Sequence, residues 1–217
     1  MKEERQNIQE LLDKLTPEVI AEMQKIWFTA DLHQGHPKIV NICNRPTTME
    51  DHDNFLIKEV FNKYVQKKDE VYILGDLSMA KRKDAEKFIA RMNGNKHLIL
   101  GNHDKNISHL GNFSEITQIK DFTFSRAGLN IHIVLCHYPM ASWNRKIHGS
   151  WHLYGHVHGR FQNTGLSWDA GIDNRAIACG VFGWMRPINL HEVCLIMSER
   201  HLIGADKDMT EFAASME

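Results

Sequence analysis

Ile26-Trp27-Phe28-Thr29-Ala30-Asp31-Leu32-His33 decides how the rest of the chain is read. Its first five residues are apolar or β-branched, which suits a short strand buried on both faces. An aspartate and a histidine follow, two positions apart, where that strand runs into a loop. If extended geometry continued, Asp31 and His33 would project from one face. A carboxylate and an imidazole there can hold a divalent ion.

The pattern recurs downstream. Val71-Tyr72-Ile73-Leu74 runs into Gly75-Asp76, and His97-Leu98-Ile99-Leu100 runs into Gly101-Asn102-His103-Asp104. Between these strands, residues 50 to 66 read as an amphipathic helix with Phe55, Leu56, Val60, Phe61 and Tyr64 on one side, and residues 83 to 92 as another. Alternating strands and helices imply a parallel sheet with right-handed crossovers. Ligands gather at the carboxyl ends of such strands, where Asp31, Asp76 and Asn102 fall. The second half changes character. Residues 116 to 124, 129 to 136, 152 to 155 and 168 to 172 read as strands, and helical spacing is scarce until about 188 to 197. The expectation is a second, mostly antiparallel sheet packed on the first. It brings Cys136-His137 and Gly155-His156-Val157-His158.

Residues 4 to 25 look like two short helices, separated by Thr16-Pro17-Glu18 as an N-cap followed by proline at the first helical position. The expected organisation is a helical appendage over 1–25, the main domain over 26–205 and a loosely held tail over 206–217.

Bulk composition limits the alternatives. The chain has 217 residues, enough for one domain with a full core. A net charge of -1 with histidines neutral argues against a broad nucleic-acid-binding face. No signal core follows Met1-Lys2-Glu3-Glu4-Arg5, and no apolar run is long enough to cross a bilayer, so a cytoplasmic location is the default. Cys43, Cys136, Cys179 and Cys194 form no CxxC pair and read as reduced, buried thiols.

The seven ligating side chains divide evenly between two ions. Asp31, His33, Asp76 and His158 would hold one; Asp76, Asn102, His137 and His156 would hold the other, with the Asp76 carboxylate bridging. Two divalent ions against two carboxylates leave the site net positive, which favours an anionic phosphoryl group and a bridging hydroxide. Mixed oxygen and nitrogen ligands suit manganese above all, with iron, zinc, nickel or cobalt as alternatives, better than calcium. Any single HxH or GD arises often by chance; five such segments in this order, each after an apolar run, do not. His52, His97, His109, His132, His148, His152, His191 and His201 read as ordinary core or surface groups.

The ordered set D-x-H, G-D, G-N-H-D, H, G-H-x-H resembles the calcineurin-like metallophosphoesterase superfamily. Phe28 to His33, Cys43-Asn44-Arg45-Pro46, Leu153 to Gly159 and Arg186-Pro187-Ile188 with Glu192 bring it nearest to small bacterial and phage-type members. The resemblance implies an α/β fold, a four-layer α/β/β/α sandwich of two mixed sheets flanked by helices, and the ligand assignment above. It implies that His103, which has no place in the ligand count, faces the scissile phosphate as general acid, a role that typically contributes about 10²–10⁴-fold in rate. Met79 stands where purple acid phosphatases carry an iron-binding tyrosine, which argues against charge-transfer iron chemistry. His103 stands where some lipid A pathway hydrolases carry arginine. Around the centre, His36, Arg45 and Asp104 are candidates for contacting substrate or supporting a ligand, with Asp104 favoured as structural.

The expected activity is hydrolysis of small phosphomonoesters or phosphodiesters. A nuclease of the same fold is the first alternative, disfavoured by the near-neutral charge. A non-catalytic metal-binding scaffold is the second, disfavoured because His103 and all the ligands are present. No membrane partner is expected, and the oligomeric state is not legible.

Overall fold

The computed structural model describes residues 13–161, 163–179 and 182–202. Nine strands form two sheets among these residues. Helix α1 (Pro17–Met23) leads into β1 (Ile26–Thr29); a short α2 (Ile39–Ile42) and α3 (His52–Phe55) precede β2 (Glu70–Ile73). Helix α4 (Arg82–Arg91) connects to β3 (Asn95–Ile99), and β4 (Glu115–Thr117) follows. The second sheet is built from β5 (Ile119–Arg126), β6 (Leu129–Cys136), β7 (Trp151–Tyr154) and β8 (Ser167–Asp169). Helix α5 (Ile172–Cys179), the two-residue β9 (Ile188–Asn189) and α6 (Leu190–Leu202) complete the described chain.

The first sheet has the order β4-β3-β2-β1-β9, parallel except for the antiparallel β9 at its edge. The second has the order β5-β6-β7-β8. Only its β5–β6 hairpin is antiparallel; β6–β7 and β7–β8 are parallel, which corrects the expectation of a mostly antiparallel sheet. The long connections after β6 and β7 allow the chain to return in the same direction, as a tight hairpin cannot.

Alternation along the strands decides the layers. Phe28, Tyr72, Leu74 and Ile99 face inward and join Phe122, Phe124, Ile131, Ile133, Leu135 and Leu153 of the second sheet in one buried cluster. Their neighbours Trp27, Val71, Ile73 and Leu98 face outward and pack against Leu56, Val60, Phe61, Ala85, Phe88 and Ile89. The result is the α/β arrangement of two mixed sheets flanked by helices.

Three departures from expectation have physical causes. Residues 116 to 124 are not one strand: β4 pairs with β3 and β5 with β6, so the chain changes sheet at Gln118. The helix expected over 50–66 is α only to Phe55 and continues as a π-helical stretch over Leu56–Phe61, closed by Asn62 N–H donating to the Ile57 carbonyl at 2.9 Å. The wider coil lets the adjacent Leu56 and Ile57 both be buried, along with Val60 and Phe61. Finally, α5 lies where no helical spacing was evident, and α6 begins with a reciprocal cap in which Glu192 N–H donates to Asn189 Oδ1 and Asn189 N–H donates to Glu192 Oε2, both at 3.0 Å.

The Thr16–Pro17 helix start is observed: Thr16 Oγ1 accepts the Val19 N–H, and Val19 and Met23 reach the inter-sheet cluster. The helix expected ahead of it falls mostly on residues 1–12, outside the described residues, as does the tail over 206–217. Cys136 and Cys194 are buried free thiols, but Cys43 is half-buried; the Cys179 side chain is outside the described set. Among the described residues no helix is long and apolar enough to cross a membrane.

Candidate metal centre

All seven expected ligands sit on loops at the carboxyl ends of β1, β2, β3, β6 and β7. The backbone does not stay extended there. Asp31, His33, Asp76, His156 and His158 have φ of 60°, 54°, 51°, 73° and 50°, in the left-handed region that costs an L-residue about 1–2 kcal/mol. Asp31 and His33 therefore converge because the chain turns, not because a strand continues. Cross-loop hydrogen bonds hold these turns: Asp31 N–H donates to the Gly75 carbonyl, His33 N–H to that of Asp76 and Gln34 N–H to that of Leu77, at 2.9–3.1 Å. Gly155 is needed for close approach, since a Cβ there would stand 2.5 Å from Ala30 Cβ and 2.8 Å from Asp31 Oδ2.

The expected ligands fall into two groups, and Cys43, His158 and Asp173 make a third set of converging atoms. Asp31, His33 and His158 can each turn one ligand atom to within 4.8 Å of the others, and so can Asp76, His137 and His156. The groups meet at Asp76. Its Oδ2 lies 3.6 Å from His33 Nε2 and 3.5 Å from His137 Nε2, while its Oδ1 accepts the His103 backbone N–H at 3.0 Å. Asn102 Oδ1 is 3.2 Å from His137 Nε2. Second contacts fix several of these ligands. His137 Nδ1 is 2.8 Å from the Leu74 carbonyl, which leaves Nε2 to face Asp76 and Asn102. The Asp31 carboxylate accepts the His156 N–H at 2.9–3.0 Å, tying the first sheet's loop to the second's.

The charge balance of the protein alone is unfavourable here. Burial, then the nearby carboxylates of Asp169, Asp76 and Asp173, push the Asp31 carboxyl well above the usual range. Burial takes the His33 imidazole down to about 3, against the pull of Asp76. Burial also opposes ionisation of Asp76, but the His137 hydrogen bond and charge, the His103 N–H and His33 outweigh it and bring that carboxyl to about 2. Both His33 nitrogens are buried without a hydrogen bond. Orphaned ring nitrogens beside crowded carboxylates are what a site built for cations presents. The donor set thus fits divalent metal.

Beyond the ligands lies a ring of groups that the sequence reading missed. Asp173 Oδ2 is 2.7 Å from His158 Nδ1, and both Asp173 oxygens accept from Arg45, at 3.0 Å from Nε and 2.8 Å from Nη2. Asp169 accepts the N–H groups of Gly159 and Gly171 at 2.8 Å. Asp169 ends the three-residue β8, Ser167-Trp168-Asp169, which is too short and too polar to stand out as an apolar run; Asp173 falls in the unrecognised α5.

The three supporting candidates resolve differently. Arg45 is buried, and besides Asp173 its guanidinium donates to the carbonyls of Asp31 and Leu32 and lies 2.9 Å from His52 Nε2. Its donors are consumed inside the protein, so it braces the Asp31–His33 loop and does not reach substrate. Asp104 is also buried and takes the N–H groups of Gly101, Asp76 and Leu77 at 2.8–2.9 Å; it does not orient the His103 ring. The His36 ring lies 5.6 Å from that of His33, tilted by 51° to it. His103 stands beside the cluster, its Nε2 3.9 Å from Asp76 Oδ2 and its side chain 39% exposed. Of the tryptophans, Trp143 and Trp151 are core, and the exposed Trp184 packs under Arg175 and Arg186, away from the ligands.

Residues 24–137 match the family model described as calcineurin-like phosphoesterase, and the chain belongs to that family of metal-dependent phosphoesterases. It is 28% identical over 206 residues to the Gene 66 protein of Mycobacterium phage L5, covering 82% of this chain and 97% of that one. An uncharacterized protein of Methanocaldococcus jannaschii, MJ1445, is 34% identical over 139 residues, covering 63% of this chain and 70% of its own length. The structure of a protein of unknown function from Aquifex aeolicus, AQ665, superposes with a TM-score of 0.56 at 22% identity, over 79% of this chain and 98% of that one; that likeness concerns the fold. The phage relative fits the small phage-type branch of the family.

Proposed function

We propose that the chain is a binuclear metal-dependent phosphoesterase acting on small phosphomonoesters or phosphodiesters, with His103 as its general acid. One observation carries the reading: a single oxygen, Asp76 Oδ2, stands 3.6 and 3.5 Å from imidazole nitrogens belonging to two different ligand groups. A carboxylate so placed can serve two ions at once. Asp31, His33 and His158 would hold one ion, His137, His156 and Asn102 the other, and Asp76 both. When bound, such ions polarise the phosphoryl oxygens and supply a water-derived nucleophile at neutral pH; manganese is the first choice for this ligand set.

The chain's own residues do the rest. Water, having released one proton to solvent, adds through its oxygen to phosphorus, the bond from phosphorus to the ester oxygen breaks, and His103 delivers a proton to that departing oxygen. Its ring is exposed enough to meet substrate and its backbone is pinned through the N–H bonded to Asp76. The buried ring of Arg45, Asp173, Asp169 and Asp104 holds the ligand loops in their left-handed turns before substrate arrives.

Metal analysis combined with a rate assay tests this. Manganese-loaded protein should carry about two equivalents and hydrolyse p-nitrophenyl phosphate or its bis-ester, losing the rate with chelator and regaining it with metal. Protein that binds two equivalents and cleaves neither ester, nor any cyclic nucleotide or short DNA, would be a scaffold.

A further inference from the structure

Next to the Asp76–His137–His156 group lies a cleft of about 410 Å³, lined by Gly101, Lys105, Ser108, Gln118, Ile119 and Tyr138 among others. Its volume falls within the range of small-ligand sites. Its lining residues adjoin the candidate metal centre at two points. Gly101 immediately precedes the expected ligand Asn102, and the Tyr138 ring packs edge-on at 4.9 Å from the rings of both His137 and His156. Tyr138 and Ile119 are among the large apolar side chains left in solvent, at 44% and 53% exposure. The one carboxylate in the wall, Asp104, is turned away, because its oxygens accept backbone N–H groups behind the cleft. What remains facing the space is an aromatic ring, an aliphatic side chain, an amide, a hydroxyl and an ammonium.

We infer that this cleft receives the alcohol portion of the substrate, and that this portion carries a planar ring. The inference rests on the phosphoesterase reading above and names the substrate class of the same site. A phosphoryl group held by His137 and His156 would lie on the side of those imidazoles that the Tyr138 ring also touches, so its ester substituent can turn toward the cleft. A planar ring there stacks on Tyr138 and covers Ile119, while Gln118, Ser108 and Lys105 meet the polar edge of a heteroaromatic base or a substituted phenol. A small alkyl alcohol would leave the cleft to water and gain nothing from it.

The test compares phenyl phosphate and a nucleoside monophosphate with ethyl phosphate, using metal-loaded protein and the variants Tyr138→Ala, Tyr138→Phe, Ile119→Ala and Gln118→Ala. The unaltered protein should favour the ring-bearing esters. Tyr138→Ala and Ile119→Ala should each reduce the ratio of kcat/KM, ring-bearing over ethyl, by about tenfold, chiefly through KM. Tyr138→Phe, which keeps the stacking face, should preserve it. A readout independent of turnover is ligand-detected NMR of phenol and adenosine on the metal-free protein, with signals that vanish in Tyr138→Ala and Ile119→Ala. Equal kcat/KM for ethyl and phenyl esters, or a uniform loss on all esters in Ile119→Ala, would overturn the cleft assignment and leave the phosphoesterase reading intact. No hydrolysis of any ester by the loaded protein would instead remove the reading on which the assignment rests.

Discussion

Asp104 Oδ2 accepts the backbone N–H of Asp76 at 2.8 Å, across 28 residues of sequence. The same carboxylate accepts the N–H groups of Leu77 and Gly101, so it bolts the loop after β2 to the loop after β3. Asp104→Asn would replace an acceptor with an amide NH₂ facing donors. Each stranded N–H should cost about 1–3 kcal/mol. Both the denaturation midpoint and the metal content should fall, as read by urea unfolding and metal analysis.

Asp173→Asn tests the outer ring. It would leave the Arg45 guanidinium buried without its counter-charge, and breaking such a pair costs about 3–5 kcal/mol. It would also release His158 Nδ1, and lost support of this kind weakens metal binding by about 10–100-fold. Titration with manganese, followed by calorimetry, should show one site weakened more than the other, because Asp173 touches only the Asp31–His33–His158 group.

His103→Ala and Asp76→Asn should fail in different ways. The first should keep two equivalents of metal and lose about 10²–10⁴ in kcat, since His103 is no member of either ligand group. The second should lose metal as well as rate, since Oδ2 serves both groups. Near-normal turnover in His103→Ala would remove the general-acid role.

Stability without metal should depend on pH through His52. Burial, aided by the adjacent Arg45 charge, lowers its imidazole to about 4 from a usual 6.5. The unfolded chain therefore binds the proton first. Stability is full above about pH 6.5 and declines as pH falls toward 4. Urea midpoints of the apoprotein between these values should show the slope, and His52→Gln, which still offers Arg45 an acceptor, should flatten it.

What the sequence made legible followed from its periodicities. Apolar runs ending in Asp31, Asp76 and Asn102 located three strand ends, because a buried strand must break before its polar ligand loop. The second sheet's direction was less accessible. Nothing local in residues 116 to 124 marks Gln118 as the crossing from one sheet to the other, and parallel pairing of β6 with β7 depends on long connections, not on composition. Helix α5 was hidden because Asp173, Asn174 and Arg175 are polar yet buried, so their period does not show in hydropathy. The inward role of Arg45 was invisible for the same reason: its partner Asp173 is 128 residues away.

The two mixed sheets each supply only part of the ligand set. Asp31, His33, Asp76 and Asn102 descend from one, and His137, His156 and His158 from the other. Cations seated among them would rivet the halves together, so opening the sandwich must empty the centre. Metal supply would then add to fold durability, with the melting point climbing as the logarithm of free cation. A cell starved of the ion would hold a less durable protein as well as a slower one.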